Sequence, residues 1–304
     1  MSKIDDYIQN PNLFVKDLNK SVEIHIKNNE ILKSAEWKAR NDGTKVSGSI
    51  FSQCLRKAWF AYFTPPSDGE FSIEARKRMY LGYINEEILL GAMKGDPANM
   101  DVTVHHEQNV LPVNITITRD DVLLSSTTDF VLEYPQECLV CEGTGKTGAH
   151  PDEPCSQCNP VYSGKQKSIF IPLEVKSTEA SDYRPAKKWW EEFSGYDSHR
   201  RQILQWMYYA KENGMNVPFG VLFYSRRSNY DCKEFIFLDA EEAPFSPTGD
   251  SRIEVYRDWI PEVEKRIGEI VHSIKNKTIP TFPTDVAKWM CDSCSFKPDC
   301  WSNK

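Results

Sequence analysis

Residues 171–178 read IPLEVKST, an apolar run that carries Glu174 and Lys176 before it ends in small polar residues. This pattern predicts a buried β-strand. Because residues two apart on a strand share a face, Glu174 and Lys176 are expected on one side and Val175 on the other. Charges on a buried face need partners, since an unpaired charge is costly to bury.

A second carboxylate is expected close to this strand. The upstream stretch STTDFVL (126–132) places Asp129 among apolar, β-forming residues. Two carboxylates and a lysine at one strand end suit a Mg²⁺ site with an activated water, because Mg²⁺ prefers hard oxygen ligands and retains waters. The alternative is an ordinary Glu–Lys pair on an exposed strand face, with Asp129 capping a turn.

The flanking elements predict an α/β fold with a mixed central sheet flanked by helices. Apolar residues at helical spacing predict helices over 49–63, 71–93, 185–213 and 251–276. Pro261 is expected to kink or restart the last helix, and Gly214 to follow the end of the third. Alternating patterns predict a β-meander over 102–134 and strands over 168–178, 219–226 and 232–240.

Composition narrows the function classes. The chain has 304 residues, 40% of them hydrophobic, and a net charge of −7. An acidic chain argues against a general nucleic-acid coat protein but leaves room for a metal-dependent nuclease. It contains no apolar run of membrane-spanning length and no apolar leader. The expectation is a cytoplasmic protein without a membrane partner, or one in the host cytoplasm if the gene is phage-encoded.

Nine cysteines favour metal binding over disulfides in a reducing compartment. An insertion over 135–166 holds two C-x-x-C pairs, which is typical of structural zinc: Cys138, Cys141, Cys155 and Cys158. The alternative for these pairs is an oxidised loop. A second set comprises Cys54 and a C-terminal trio: Cys291, Cys294 and Cys300. The alternative for that set is that the trio binds zinc with a fourth ligand elsewhere and that Cys54 is a core residue.

Over residues 47–301, an ordered series of motifs resembles the RecB-like branch of the PD-(D/E)XK nuclease superfamily. The matching residues are Gly82 with Glu86 on a helix, Asp129, the E-x-K pair Glu174 and Lys176, and Gln205 with Tyr209 and Ala210. The family often has His at the Glu86 position, and Glu87 and Gln202 are alternatives. The resemblance implies a restriction-endonuclease-like core that binds Mg²⁺ or Mn²⁺.

The same resemblance implies a role for each matched residue. Glu86, Asp129, Glu174 and the Val175 carbonyl would hold the metal. Lys176 would act on the nucleophilic water, and Gln205 would orient that water or a phosphate.

The cysteine order resembles that of iron–sulfur nucleases of the AddB-like and CRISPR-adaptation types. Cys54 is followed by Leu55-Arg56-Lys57, and the trio has C-x2-C-x5-C spacing. The resemblance implies a [4Fe-4S] cluster that joins the two ends of the domain, a cofactor that thiolates suit. The implied organisation is an N-terminal helical extension (1–46), the nuclease domain (47–301), the inserted zinc knuckle (135–166) and a C-terminal cysteine module (281–304).

The inserted cysteines also resemble half of the zinc region of J-domain cochaperones, through the pattern CxxCxGxG. This likeness implies a zinc knuckle and no chaperone function. Because the insertion lies between the Asp129 and Glu174 strands, the knuckle is expected to contact DNA or a partner protein.

Five residues are candidate DNA contacts: Lys187, Lys188, Arg200, Arg201 and Tyr209. The two lysines precede two tryptophans, a combination of charge and rings that single-strand binders use. The two arginines lie one turn before Gln205. Solvated surface charge and core tryptophans are the alternative interpretations.

The expected activity is that of a Mg²⁺- or Mn²⁺-dependent deoxyribonuclease, most simply an exonuclease on single-stranded DNA ends. The processes in which this activity would act are recombination, repair or CRISPR-type processing. The alternatives are a structure-specific or restriction-type endonuclease and, in another class, a catalytically inactive DNA-binding scaffold.

Overall fold

A computed structural model describes most of the chain beyond the N-terminal region. The described residues are 43–64, 82, 84, 86–94, 102–106, 110–134, 146–147, 150–154, 168–178, 191–226, 232–241, 252–283, 286, 288–292 and 294–302. The predicted extension over 1–46 lies almost entirely outside them.

The centre of the fold is a six-stranded mixed sheet with the strand order β11-β10-β9-β8-β5-β2. In chain order its strands are β2 (Thr103–His105), β5 (Phe130–Tyr134), β8 (Ile169–Thr178), β9 (Phe219–Arg226), β10 (Cys232–Leu238) and β11 (Arg252–Val255). β8 pairs antiparallel with β5 and parallel with β9. The strand that carries Glu174 and Lys176 is therefore central, as its apolar run predicts.

A smaller sheet has the order β1-β4-β3, with strands Val46–Ser47, Val122–Thr127 and Asn114–Arg119. The predicted meander over 102–134 is therefore wrong in its pairing, because β2 joins β5 in the central sheet while β3 and β4 form a separate hairpin. A tight turn at Asp120 and Asp121, both with positive φ, closes that hairpin.

Helices cover both faces of the central sheet. The helices of the described residues are α1 (Gly48–Phe51), α2 (Leu55–Phe63), α3 (86–94), α4 (Asp197–Glu212), α5 (Ile260–Lys275), α6 (Lys288–Asp292) and α7 (Lys297–Ser302), and α3 and α4 are the two that lie on the central sheet. On one face, α4 lies so close that a Cβ on Gly220 would be 2.7 Å from the Met207 sulfur. On the other, α3 packs against Val175 and its neighbours Phe130 and Leu173. These two layers confirm the predicted mixed α/β class.

Two predicted helices differ from their expected ranges. Residues 252–255 of the predicted helix 251–276 form β11, a parallel partner of β10, and a 3₁₀ turn (Tyr256–Trp259) follows before α5 starts. Pro261 stands in the first turn of α5, where its missing N–H costs no hydrogen bond. In the predicted helix 185–213, residues 191–192 are helical, the helix is then interrupted around Gly195, whose φ is +80°, and α4 starts at Asp197.

The helix end at Gly214 is confirmed. α4 ends at Glu212, and Gly214 adopts a φ of +74°, in the left-handed region that glycine tolerates best.

Within the 135–166 insertion, strands β6 (Lys146–Thr147) and β7 (His150–Pro154) form a short antiparallel hairpin between the two C-x-x-C pairs. The four cysteines of those pairs lie outside the described residues. No helix in the described part of the chain is long and apolar enough to cross a membrane.

Candidate active site

The candidate site lies where the β5–β8 ladder ends. The two strands pair from Tyr134 and Ile169 as far as Phe130 and Leu173, and β8 then continues to Thr178 beside β9. Asp129 immediately precedes β5. Its Oδ2 accepts a 2.7 Å hydrogen bond from the Val175 N–H. The carboxylate thus occupies the place of the next ladder partner, which fixes it beside β8.

Glu174 and Lys176 share one face of β8, as the alternation predicts. Their side chains form an ion pair, and the Lys176 ammonium lies 3.8 Å from Asp129 Oδ2. Glu174 is fully buried, whereas the Lys176 side chain is 24% exposed. The alternative of an exposed Glu–Lys pair is therefore wrong for the carboxylate, which lies inside the fold.

Glu86 brings a third carboxylate to this cluster from α3. It is half-buried, and its charge is close enough to act on the pKa values of both Glu174 and Lys176. The neighbouring Glu87 is exposed on the outer side of the helix. The fold therefore favours Glu86 over Glu87 as the acidic residue of this helix at the site.

Burial raises the pKa of Glu174 to about 8, and the charges of Asp129 and Glu86 act in the same direction against the attraction of Lys176. Burial by itself would lower the pKa of Lys176. The Glu174 and Asp129 carboxylates outweigh that effect and raise the Lys176 pKa above its usual value. Three carboxylates thus face a single ammonium, and the cluster has an excess of negative charge.

The donor set suits a hard divalent cation. One Glu174 oxygen, Oε2, is buried and has no hydrogen-bond partner among the described residues, and an unsatisfied buried acceptor calls for a partner. Carboxylate oxygens are the ligands that Mg²⁺ prefers. In the described part of the chain, however, no three His, Cys, Asp or Glu side chains are arranged to enclose an ion. The carboxylates are neighbours without a closed coordination shell.

Gln205 and Tyr209 do not reach this cluster. Gln205 Nε2 donates to the Tyr209 hydroxyl at 2.9 Å, and both side chains are buried. Gln205 lines a cavity with residues of α5, on the side of α4 that faces away from β8. Its position around the helix axis turns Gln205 toward α5, so the prediction that Gln205 acts at the cluster is wrong. Gln202, the alternative, is half-buried three residues after His199, a neighbour of Lys176.

The other predicted DNA contacts differ in position. Arg200 is buried, with Nε 3.0 Å from Glu254 and a further bond to the Ser194 carbonyl. The Arg201 side chain is 14% exposed and lies 3.8 Å from Glu262 on α5. Arg200 and Tyr209 are buried inside the fold, so the prediction that these two side chains contact DNA is wrong. A DNA contact of Arg201 stays a prediction. Lys187 and Lys188 lie outside the described residues.

The sequence-distant cysteines meet at one place. Cys54, just before α2, lines the same cavity as the C-terminal trio Cys291, Cys294 and Cys300. Burial raises the pKa of Cys54, and the nearby Cys300 and Cys294 thiols raise it further. Arg56 donates a 3.2 Å hydrogen bond to the Cys300 carbonyl. The cavity therefore joins residues from the two ends of the domain, and all four thiols are free of disulfide bonds. Among the described residues these thiols, like the carboxylates, are not arranged as a group that would enclose a metal ion.

Two residues that the sequence pattern did not reveal lie beside Lys176. Tyr224 on β9 is the register partner of Lys176, and its hydroxyl lies 2.8 Å from His199 Nδ1 in the first turn of α4. The only sequence signal was a histidine one turn before Gln202, which by itself is more often a core residue.

Comparison with known proteins adds little to this geometry. No protein-family model and no curated protein matches the chain. A solved structure, that of SSO0001, is 12% identical over 86% of this chain and 87% of its own length, with a TM-score of 0.41.

Proposed function

We propose that this protein is a Mg²⁺- or Mn²⁺-dependent deoxyribonuclease of the RecB-like PD-(D/E)XK type. The observation that carries the proposal is the fully buried Glu174, which has an unpartnered oxygen. Lys176 and Asp129 lie beside it at the end of a ladder, and the charge of Glu86 also acts on its pKa. A buried excess of carboxylates is costly unless a cation compensates it.

Glu86, Asp129 and Glu174 would hold the metal, with the Val175 carbonyl as a further ligand. The cation would supply Lewis-acid stabilisation of charge at the phosphate and lower the pKa of a water. Lys176 has a raised pKa and stays protonated near neutral pH. We therefore assign it to presenting positive charge and N–H donors to the phosphate and the attacking water, not to removing a proton.

Single-stranded DNA ends are the proposed substrate, and recombination, repair or CRISPR-type processing the proposed context. Both come from the family resemblance.

The decisive experiment incubates end-labelled single-stranded DNA with the protein in Mg²⁺, Mn²⁺ or EDTA, beside an Asp129→Asn variant. Asparagine can still accept the Val175 N–H, but it removes the charge. We expect metal-dependent cleavage by the wild type and by the exposed control Asp258→Asn. Asp129→Asn should lose this cleavage. Cleavage of closed circular single strands would instead indicate an endonuclease. DNA binding without cleavage in any metal would indicate a scaffold.

The acidic residue on α3 gives a separate prediction. Glu86→Gln is expected to lower metal-dependent cleavage by roughly 10-fold or more, because it removes one ligand charge from the site. Glu87→Gln is the matched control, since Glu87 is the exposed neighbour, and should keep wild-type cleavage. Initial rates over a Mn²⁺ titration provide the measurement. The opposite order of effects would assign the ligand to Glu87.

Substitutions of the two glutamines of α4 should also differ in their effects on cleavage and stability. Gln202→Ala is expected to slow cleavage by about 10-fold while leaving the melting temperature unchanged. Gln205→Ala removes the donor to buried Tyr209 and should lower stability by about 1–3 kcal/mol, with cleavage per folded molecule retained. Denaturant unfolding and cleavage rates check both. A stable, inactive Gln205→Ala protein would contradict this assignment.

We further propose that Cys54, Cys291, Cys294 and Cys300 bind a [4Fe-4S] cluster. The proposal rests on their shared cavity and on the affinity of thiolates for such clusters. Iron and acid-labile sulfide in anaerobically purified protein should fall in Cys54→Ser and stay unchanged in Cys232→Ser, because Cys232 is exposed on β10. Zinc without sulfide would support the alternative ion.

For the insertion, we propose one structural Zn²⁺ held by Cys138, Cys141, Cys155 and Cys158, with a DNA or protein contact as its function. Replacing Cys138 and Cys141 by serine should remove that zinc and weaken DNA or partner binding, while iron content is unchanged. Loss of zinc without any change in binding would leave the knuckle with a structural role only.

A further inference from the structure

His199 lies in the first turn of α4, over the sheet face that carries Lys176. Its Nδ1 is 2.8 Å from the Tyr224 hydroxyl. Tyr224 and Lys176 are register partners on neighbouring parallel strands, so their side chains point to the same face. The histidine therefore belongs to the wall of the candidate active site, although it takes no part in the cluster of carboxylates.

The hydrogen bonds around Tyr224 favour one tautomer of His199. The Tyr196 N–H donates to the Tyr224 oxygen at 3.0 Å. The phenol has a single hydrogen, and His199 Nδ1 is the acceptor within reach. This arrangement favours the neutral imidazole in which Nδ1 accepts this hydrogen and the ring hydrogen is on Nε2.

The surroundings keep both groups in these protonation states. Burial, together with the positive charge of Lys176, lowers the pKa of His199 to about 3. Burial also raises the pKa of the Tyr224 hydroxyl well above its usual value. A neutral imidazole and a protonated phenol are thus expected across the working range of most enzymes.

The remaining edge of the ring is available to a ligand. His199 is half-buried as a residue, and Nε2 has no hydrogen-bond partner among the described residues. A ring whose Nδ1 side is fixed inside the fold can present only Nε2–H outward. A neutral donor beside an ammonium adds a hydrogen bond for an anion without adding like-charge repulsion to Lys176.

We propose that His199 Nε2–H binds a phosphate oxygen of the nucleic-acid strand next to Lys176, and that Tyr224 and the Tyr196 N–H are positioning groups that hold it in the donor tautomer. This inference rests on the proposed nuclease function. It adds a phosphate-binding residue that the acidic cluster and the glutamine motif do not include.

Two substitutions distinguish the roles of the two ring nitrogens. In His199→Gln the amide nitrogen can occupy the place of Nε2, whereas in His199→Asn it reaches only the place of Nδ1. The binding of a fluorescent single-stranded oligonucleotide, measured in EDTA by anisotropy, reports affinity without cleavage. His199→Asn should weaken binding about 10-fold, and His199→Gln should keep most of the wild-type affinity. The exposed His272→Asn on α5 is the control.

A spectroscopic measurement tests the tautomer directly. In protein with ¹⁵N-labelled histidine, the resonance assigned through His199→Gln should report an Nε2–H imidazole. Its Nε2–H proton should shift when the oligonucleotide is added. In Tyr224→Phe, the Nδ1 acceptor loses its donor and the mixture of tautomers should change. An Nδ1–H or doubly protonated ring at neutral pH would overturn the inference.

The outcomes distinguish this inference from the proposed function. If the wild type binds the oligonucleotide but cleaves nothing, and His199→Asn weakens this binding, the phosphate contact is supported and the proposed nuclease activity is contradicted. Metal-dependent cleavage with equal DNA affinity in His199→Asn, His199→Gln and wild type overturns the phosphate contact alone. A wild-type protein that binds no oligonucleotide overturns both. Melting temperatures confirm that each variant is folded.

Discussion

Replacing Lys176 by methionine is expected to lower metal-dependent DNA cleavage by roughly 100- to 1,000-fold. Lys176 is the ammonium that lies beside both Glu174 and Asp129. Methionine keeps much of the length of the side chain and removes the charge and the N–H donors. Single-turnover cleavage at saturating Mn²⁺ measures the loss at the chemical step. Lys275→Met, at an exposed site on α5, is the matched control.

The same change should also destabilise the metal-free protein. Above the Glu174 pKa of about 8, where this carboxyl is ionised in the fold, Lys176→Met removes its ion-pair partner, and breaking such a pair by removing one member costs roughly 3–5 kcal/mol. Adding Glu174→Gln to Lys176→Met should recover most of that stability, because no buried charge then lacks its partner. Urea unfolding of both single variants and the double variant measures this coupling. Strictly additive effects would show that the two side chains do not interact.

Replacing Glu174 by glutamine is expected to abolish cleavage and to remove the stabilisation of the fold by divalent metal. Glu174 is the fully buried carboxylate, and glutamine keeps its shape without its charge. A ligand that binds only the folded state raises its stability by mass action. The wild-type melting temperature should therefore rise with Mn²⁺ and that of Glu174→Gln should not. Glu87→Gln should respond to metal as the wild type does.

The pH dependence of stability should report the same carboxyl group. The pKa of Glu174 is raised to about 8 in the fold, against about 4.3 in an unfolded chain. Between these values the unfolded state loses the proton that the folded state retains, so the stability of metal-free wild type should fall as pH rises. The attraction of Lys176 is already contained in this pKa, and the shift corresponds to roughly 2–5 kcal/mol over the range.

Glutamine resembles the protonated carboxyl, so Glu174→Gln should lack this decline. The difference in the free energy of unfolding between Glu174→Gln and metal-free wild type should be largest near pH 8 and vanish near pH 4. Denaturant unfolding in EDTA across this range provides the measurement. Equal pH profiles for the two proteins would mean that Glu174 titrates normally in the fold.

Much of the fold could be predicted from local sequence. The alternation in IPLEVKST predicts the central strand and the shared face of Glu174 and Lys176, and Gly214 marks the end of α4. The β-branched residues of 252–255 also carried a strand signal, but the longer helical pattern that follows obscured it. The pairing of β2 with β5 could not be predicted, since strand pairing depends on contacts between distant segments.

At the site, the sequence by itself identified Asp129, Glu174 and Lys176 as candidate residues and determined that Glu174 and Lys176 point the same way, because side-chain alternation is a property of the extended backbone. The resemblance of its cysteine order to iron–sulfur nucleases made Cys54 and the distant trio candidates for one site. Only the tertiary structure decided that Asp129 takes the place of a ladder partner, that Glu86 and not Glu87 faces the cluster, and that Gln205 and Arg200 are internal. It also placed His199 and Tyr224 beside Lys176. These outcomes depend on where a ladder stops and which face of a helix packs on the sheet, and both are set by long-range packing that no short stretch of sequence contains.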